Sequence, residues 1–176
     1  MRRFDASGDF NRNWDEYKQG FGDASGEYWL GNDYLHYLTS NRAYKLRFDL
    51  EDWDGDTRYA EYSSFFVNSE IDNYRLLLGD YTGTTSSNQN SDETNGFLYH
   101  NNMQFSTYDR DNAGSLGSCV NSDTGGFWFN GCSRISPTSA GCGAASCAVL
   151  DQTIMWKAWR GRTYSLKKIK MMLRRV

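Results

Sequence analysis

Proline occurs once in 176 residues and histidine twice, at His36 and His100. So little proline rules out any collagen-like stretch, proline-rich linker or mucin-type stalk. No apolar run approaches the roughly 18 residues that a bilayer span needs. Met1-Arg2-Arg3-Phe4-Asp5 is followed by no apolar segment, so no signal peptide is expected within this sequence. A triad, a GxSxG elbow, a phosphate-binding loop and an HExxH helix are all missing. Each histidine reads as a hydrogen-bonded structural residue rather than a base. Cysteines number four, at 119, 132, 142 and 147, and none forms a CxxC pair. That argues against zinc and for two disulfides in an oxidising compartment. Three pairings are open; the sequential one closes two short loops.

What is present is aromatic: six Trp, twelve Tyr and ten Phe. Large rings bury enough area to build a core with few aliphatics. The length fits one domain. Charge is uneven. From Lys157 onward there are eight basic residues and no acidic one, in a sequence whose net charge is -3. A basic tail is compatible with heparin, anionic lipid or nucleic acid. Here Ile169, Met171 and Leu173 alternate with Lys168, Lys170 and Arg174, and that period of two favours a half-buried strand with a charged outer face. The acidic remainder makes nucleic acid a poor partner.

The order of elements points to α+β. Asn13, with Glu16 three residues on, predicts an N-cap and a short helix ended by Gly20. A second short helix starts at Asn32 or Asp33 and runs through Leu35 and Leu38. Tyr44–Leu50 alternates as a strand. It turns through acidic 51–56 into a second strand over 58–67, and Tyr74–Leu78 predicts a third. The polar stretch 82–96 is expected to be an exposed loop. From Phe105 to Val149 the sequence is loop-like, and strand returns from Ile154. The expected fold is thus a twisted, mainly antiparallel sheet with short helices and an irregular disulfide-bearing lobe. The body covers about 1–105 plus 153–176, and the lobe about 106–152.

Asp109-Arg110-Asp111-Asn112-Ala113-Gly114-Ser115 resembles the first half of an oxygen-rich calcium loop. It is not an EF-hand, whose fifth and twelfth positions would be Ala113 and Val120. Gly125-Gly126-Phe127-Trp128-Phe129-Asn130-Gly131-Cys132 places three aromatics before a cysteine, as a local core or as pocket lining.

Together these motifs resemble the fibrinogen C-terminal globular domain of ficolins, techylectins, angiopoietins and tenascins. The resemblance rests on Phe10-Asn11-Arg12-Asn13-Trp14 with Tyr17-Lys18-Gln19-Gly20-Phe21-Gly22, and on Gly26-Glu27-Tyr28-Trp29-Leu30-Gly31-Asn32. It continues through Tyr81-Thr82-Gly83, His100-Asn101-Asn102-Met103, the Cys119 to Cys132 spacing, and Trp156, Trp159 and Tyr164-Ser165-Leu166-Lys167. It implies a Cys119–Cys132 disulfide, with Cys142–Cys147 as an added neighbouring pair. It also implies a small upstream subdomain, so that the sequence starts within the domain and leaves apolar surface that favours a homo-oligomer. Calcium falls on Asp111, Ser115 and Gly117, with Asp109 as a substitute carboxylate because Ala113 stands where a second aspartate is expected; binding should be weak. The implied ligand pocket centres on Gly131, Cys132 and Ser133, with a cis peptide before Cys132. Trp128 and Phe129 would pack an acetyl methyl, and Asp123 and Asp151 would shape specificity. The implied function is secreted, non-enzymatic, lectin-like binding of acetylated sugars in innate immune recognition. The alternative is a receptor-binding or extracellular-matrix protein of angiopoietin or tenascin type, whose partner is a cell-surface or matrix protein.

Overall fold

The computed structural model describes residues 1–87, 89–113, 125–148 and 152–176. Its centre is a seven-stranded sheet. In sequence order the strands are β1 (Arg2–Arg3), β2 (Phe21–Gly22), β3 (Tyr28–Trp29), β4 (Tyr44–Glu51), β5 (Thr57–Tyr62), β8 (Tyr81–Gly83) and β9 (Lys168–Arg175), and their order across the sheet is β2-β3-β1-β9-β4-β5-β8. Every pairing is antiparallel. A separate ribbon joins β6 (Phe65–Val67) to β7 (Leu76–Leu78). The α+β expectation therefore holds.

The predicted helices form for the predicted reasons. In α1 (Trp14–Gln19), the Asn13 side chain accepts the Glu16 N–H, and Glu16 reaches back to the Asn13 N–H. That closes a capping box over two otherwise unpaired amides. In α2 (Asn32–Asn41), Leu35 and Thr39 face inward, while Tyr34 and Tyr37 are exposed. Gly20 and Gly31 let the two helices meet. Both have positive φ, and a Cβ on either would come within 3 Å of backbone at the other junction.

Three expectations change. The strand over 58–67 breaks at Ser63 and Ser64, and its halves join different sheets. The strand expected over Tyr74–Leu78 shortens to Leu76–Leu78, and within it Leu77 is 43% exposed while Leu76 is fully covered. The polar stretch 82–96 is not simply an exposed loop. It contains α3 (Gln89–Asn95), and Thr85 and Asp92 are buried. Asp92 accepts hydrogen bonds from the Tyr62 hydroxyl at 3.0 Å and the Leu98 N–H at 3.2 Å. Burial pushes its carboxyl up to about 6. A buried polar side chain on the inner turn of a short helix leaves no periodic apolar signal in the sequence.

The sheet's inner face carries Leu46, Phe48, Leu50, Ile169 and Met171. It packs on an aromatic core in which Trp128 touches Trp29, Phe65, Phe97, Phe105 and Phe127. Each such ring contributes roughly 1.5–3 kcal/mol by burial, plus a smaller edge-to-face component.

The N-terminal segment is held by a buried ion pair. Arg3 Nε donates to Glu27 Oε2 at 3.0 Å, and both side chains are fully covered. Glu27 also accepts the N–H groups of Phe4, Asp5, Ala6 and Gly8 at 2.6–3.1 Å. Arg3 further donates to Ser139 O and Ala140 O and stacks on Phe10 at 4.0 Å. Burial pushes the Glu27 carboxyl up, but Arg3 and the amides outweigh it and hold it below the usual range. Removing one partner of a buried pair leaves an uncompensated charge. Glu27→Gln should therefore lower stability by about 3–5 kcal/mol, read from the urea midpoint at constant slope.

Candidate functional site

The lobe closes on the body through irregular backbone. Ser106 and Phe127 exchange hydrogen bonds, Ser136 N–H donates to Met155 O, and Lys157 N–H to Arg134 O. Trp156, bridged to Ile135, brings its ring 5.1 Å from Phe48 on the sheet's inner face. The element after it is α4 (Lys157–Arg160) rather than a continuing strand. Arg160 of α4 is held by the carboxylates of Asp52 and Asp56 from the acidic turn.

His100 organises the segment after Cys132. Its Nε2 accepts the Arg134 N–H at 3.1 Å, with Ile135 N–H at 3.4 Å. Since amides only donate, Nε2 carries no proton. Nδ1 then carries it and donates to Trp128 O at 2.7 Å. The ring is fully buried, which pulls its pKa down to about 4. His36 is likewise structural, with Nδ1 2.9 Å from Val67 O.

The residues of the expected ligand pocket divide. Gly131, Cys132 and Ser133 reach the surface, and Gly131 is left-handed at φ 63°. No peptide among the described residues is cis, so the bond before Cys132 is trans, contrary to expectation. Trp128 and Phe129 are 0% and 1% exposed and belong to the core, not to pocket lining. Trp128 Nε1 donates to Tyr74 O at 2.7 Å, which points the indole inward. Neither ring can meet a methyl group at the surface. Asp123 and Asp151 lie outside the described residues.

Of the expected calcium ligands, Ser115 and Gly117 also lie outside the described residues. Asp109 accepts the Trp14 N–H at 3.0 Å and the Thr107 hydroxyl at 2.7 Å, so it caps the start of α1. Asp111 is exposed and accepts the Ala113 N–H at 2.9 Å. Among the described residues no three acidic, histidine or cysteine side chains converge. The described residues do not by themselves assemble a calcium site.

Cys142 and Cys147 form a disulfide. Cys132 is also disulfide-bonded; its expected partner, Cys119, lies outside the described residues.

The surface beside Ser133 holds a feature that the sequence did not announce. Arg134 stacks on the Tyr99 ring at 4.6 Å. Lys157 is hydrogen-bonded to it through the backbone, and Arg162 is exposed just beyond α4. Partial burial and then the charges of Arg134 and Arg162 hold the Lys157 ammonium below its usual value, which places the three cations in one field. No carboxylate among the described residues pairs with any of them. The only signal in the sequence was the acid-free run after Lys157, which the strand reading absorbed.

The whole sequence, residues 1–176, matches the family described as fibrinogen beta and gamma chains, C-terminal globular domain. It is 41% identical over 165 residues to angiopoietin-related protein 7 of Homo sapiens, covering 94% of this chain and 45% of that protein. It is 39% identical over 180 residues to fibrinogen-like protein 1 of Homo sapiens, covering 99% and 58%. The fibrinogen-like globe domain of human ANGPTL2 superposes with a TM-score of 0.90 at 39% identity, over 99% of this chain and 77% of that one. Lamprey fibrin D-dimer, complexed with the peptide ligand Gly-His-Arg-Pro-amide, gives 0.82 at 35% identity, over 98% and 59%. The chain spans about half the length of the curated relatives it matches first.

Two tests follow from this geometry. His100 titrates at about 4 when folded and near its ordinary 6.5 when unfolded. Its contribution is complete above pH 6.5 and is lost as pH falls through about 4, about 3 kcal/mol in all. The buried Asp92, shifted upward, acts in the opposite sense across part of that window, so the readout is the difference between wild type and His100→Gln. Stability of wild type relative to His100→Gln, from urea unfolding, should fall steadily from pH 7 to pH 4. Separately, the five-residue Cys142–Cys147 loop is worth about 2 kcal/mol by loop-closure entropy. Cys142→Ser/Cys147→Ser should cost that much and leave the far-ultraviolet circular dichroism unchanged.

Proposed function

The protein belongs to the family of the C-terminal globular domain of fibrinogen beta and gamma chains, and from that premise we propose that it is the recognition domain of a secreted, non-enzymatic protein whose lobe binds an acidic surface on a protein partner. The observation that carries this reading is the cluster of Arg134, Lys157 and Arg162 beside Ser133, unpaired among the described residues. Unpaired cations held on a fixed scaffold steer and orient a complementary acidic surface. The stacked guanidinium of Arg134 has the geometry to take a carboxylate in two hydrogen bonds.

The same surface offers little to an acetylated sugar. The aromatic rings that would pack an acetyl methyl are in the core. Relatives point the same way: they are angiopoietin-related and fibrinogen-like proteins, and lamprey fibrin is solved with a peptide. A secreted location is supported by the disulfide. Among the described residues, no helix is long and apolar enough to cross a membrane. A non-enzymatic role is supported by both histidines being bound to backbone.

Binding of the labelled protein to cultured cells tests the proposal. It should be abolished by trypsin treatment of the cells, survive a large excess of N-acetylglucosamine, and weaken about tenfold in Arg134→Glu. Competition by the acetylated sugar, with Arg134→Glu binding as wild type does, would establish the lectin reading instead.

A further inference from the structure

A second cationic surface lies on the opposite side of the sheet from the lobe. Trp156 packs against Phe48 on the inner face, so side chains of the other register point away from the core. On β4 these are Lys45, Arg47, Asp49 and Glu51; on β9 they are Lys168, Lys170, Met172 and Arg174. No layer of described residues covers them, and Lys45, Lys170 and Arg174 are exposed.

The charges on this face do not balance. Its carboxylates are already engaged. Glu51 pairs with Lys167 and Lys168, and Arg47 pairs with both Asp49 and Glu61. Among the described residues, Lys45, Lys170 and Arg174 have no ion-pair partner, and Arg2 donates to the carbonyls of Ala24 and Gly26 rather than to a carboxylate. The strand register adds two like-charge contacts. Lys45 stands directly opposite Arg174 across β4 and β9, and Arg2 stands opposite Lys170 across β1 and β9; on its other side Lys170 faces Asp49, whose carboxylate is held by Arg47. Like charges at directly opposed positions destabilise a sheet. Lys45 and Arg174 pair with no carboxylate among the described residues, and the one opposite Lys170 is shared with Arg47. An anion laid across these cations would offset the excess.

The arrangement selects the kind of anion. These cations sit on long side chains spread over three strands, with Lys170 and Arg174 about 13 Å apart along β9 and Arg2 and Lys45 beside them on β1 and β4, on an open face rather than in an enclosing cradle of backbone amides. Such a spread suits a long polymer with repeated negative groups rather than a single small ion. A disulfide-bearing protein with no free cysteine among its described residues belongs to an oxidising, extracellular-type compartment. The abundant linear polyanions there are sulfated polysaccharides. We propose that the outer face of β1, β9 and β4 is a docking surface for a linear sulfated polysaccharide, read by Lys45, Lys170, Arg174 and Arg2. This surface is separate from the Arg134 cluster and does not depend on that reading.

Heparin serves as the probe, by affinity chromatography and by calorimetry at about 0.15 M salt, where long-range attraction between isolated charges is largely screened. Wild type should be retained. Lys45→Gln/Lys170→Gln/Arg174→Gln should lose affinity by roughly a hundredfold. Its melting temperature should stay level or rise, because the opposed like charges are gone. Arg134→Gln/Lys157→Gln/Arg162→Gln should keep heparin binding. Unchanged retention of the sheet-face variant, or loss confined to the lobe variant, would overturn the assignment. Equal binding of single-stranded DNA and heparin, in a manner lost from both variants alike, would show charge attraction without a site and would overturn it as well.

Discussion

One carboxylate fixes where the first eight residues go. Glu27 gathers four backbone amides and the Arg3 guanidinium in a space that excludes water. Arg3 in turn holds the carbonyls of Ser139 and Ala140 in the lobe. Three regions far apart in sequence thus meet at one charge pair: the opening strand, the β2–β3 turn and the lobe. Pairing at such depth contributes less to net stability than to uniqueness of arrangement, since both ions had to leave water. Its worth lies in leaving the opening segment no alternative partner: displaced by one residue, the backbone would offer Glu27 the wrong amides.

The lobe solves a different problem. Its described residues form almost no regular structure, yet their backbone must be satisfied where it passes through the core. His100 does this from within, with one ring nitrogen giving and the other receiving. The aromatic rings around it supply the apolar area that long strands would otherwise bring. A small set of polar anchors set in aromatic packing fixes the course of the 130–136 edge, and with it the positions of Arg134 and Lys157.

Local features were readable in the sequence because local forces determine them. Asn13 and Glu16 announced a capping box, the Lys168–Arg174 alternation a strand, and Gly20 a helix end; each appears where expected. The motifs of Tyr17, Trp29 and Trp128 likewise carried the family and hence the fold. What could not be read was set by neighbours distant in sequence. That Trp128 turns inward depends on the Tyr74 carbonyl, and that Asp92 is buried depends on Tyr62. The aromatic run before Cys132 was equally consistent with core and with pocket until its surroundings were known. The Arg134 cluster was hidden for the same reason: Lys157 and Arg162 are separated from Arg134 by more than twenty residues, and only the Ile135–Trp156 bridge brings them together.

The sheet order has a consequence for how the molecule is made. The strand at its middle, β9, follows every other described element in sequence, and it zips along the whole of β4 on one side while receiving β1 on the other. Until β9 has emerged from the ribosome, β1 and β3 have nothing to join them to β4 and β5, and the edges of both partial sheets stay open. Such edges invite pairing with other molecules, and contacts of such large sequence separation form slowly. Assembly is thus postponed until that last strand is made.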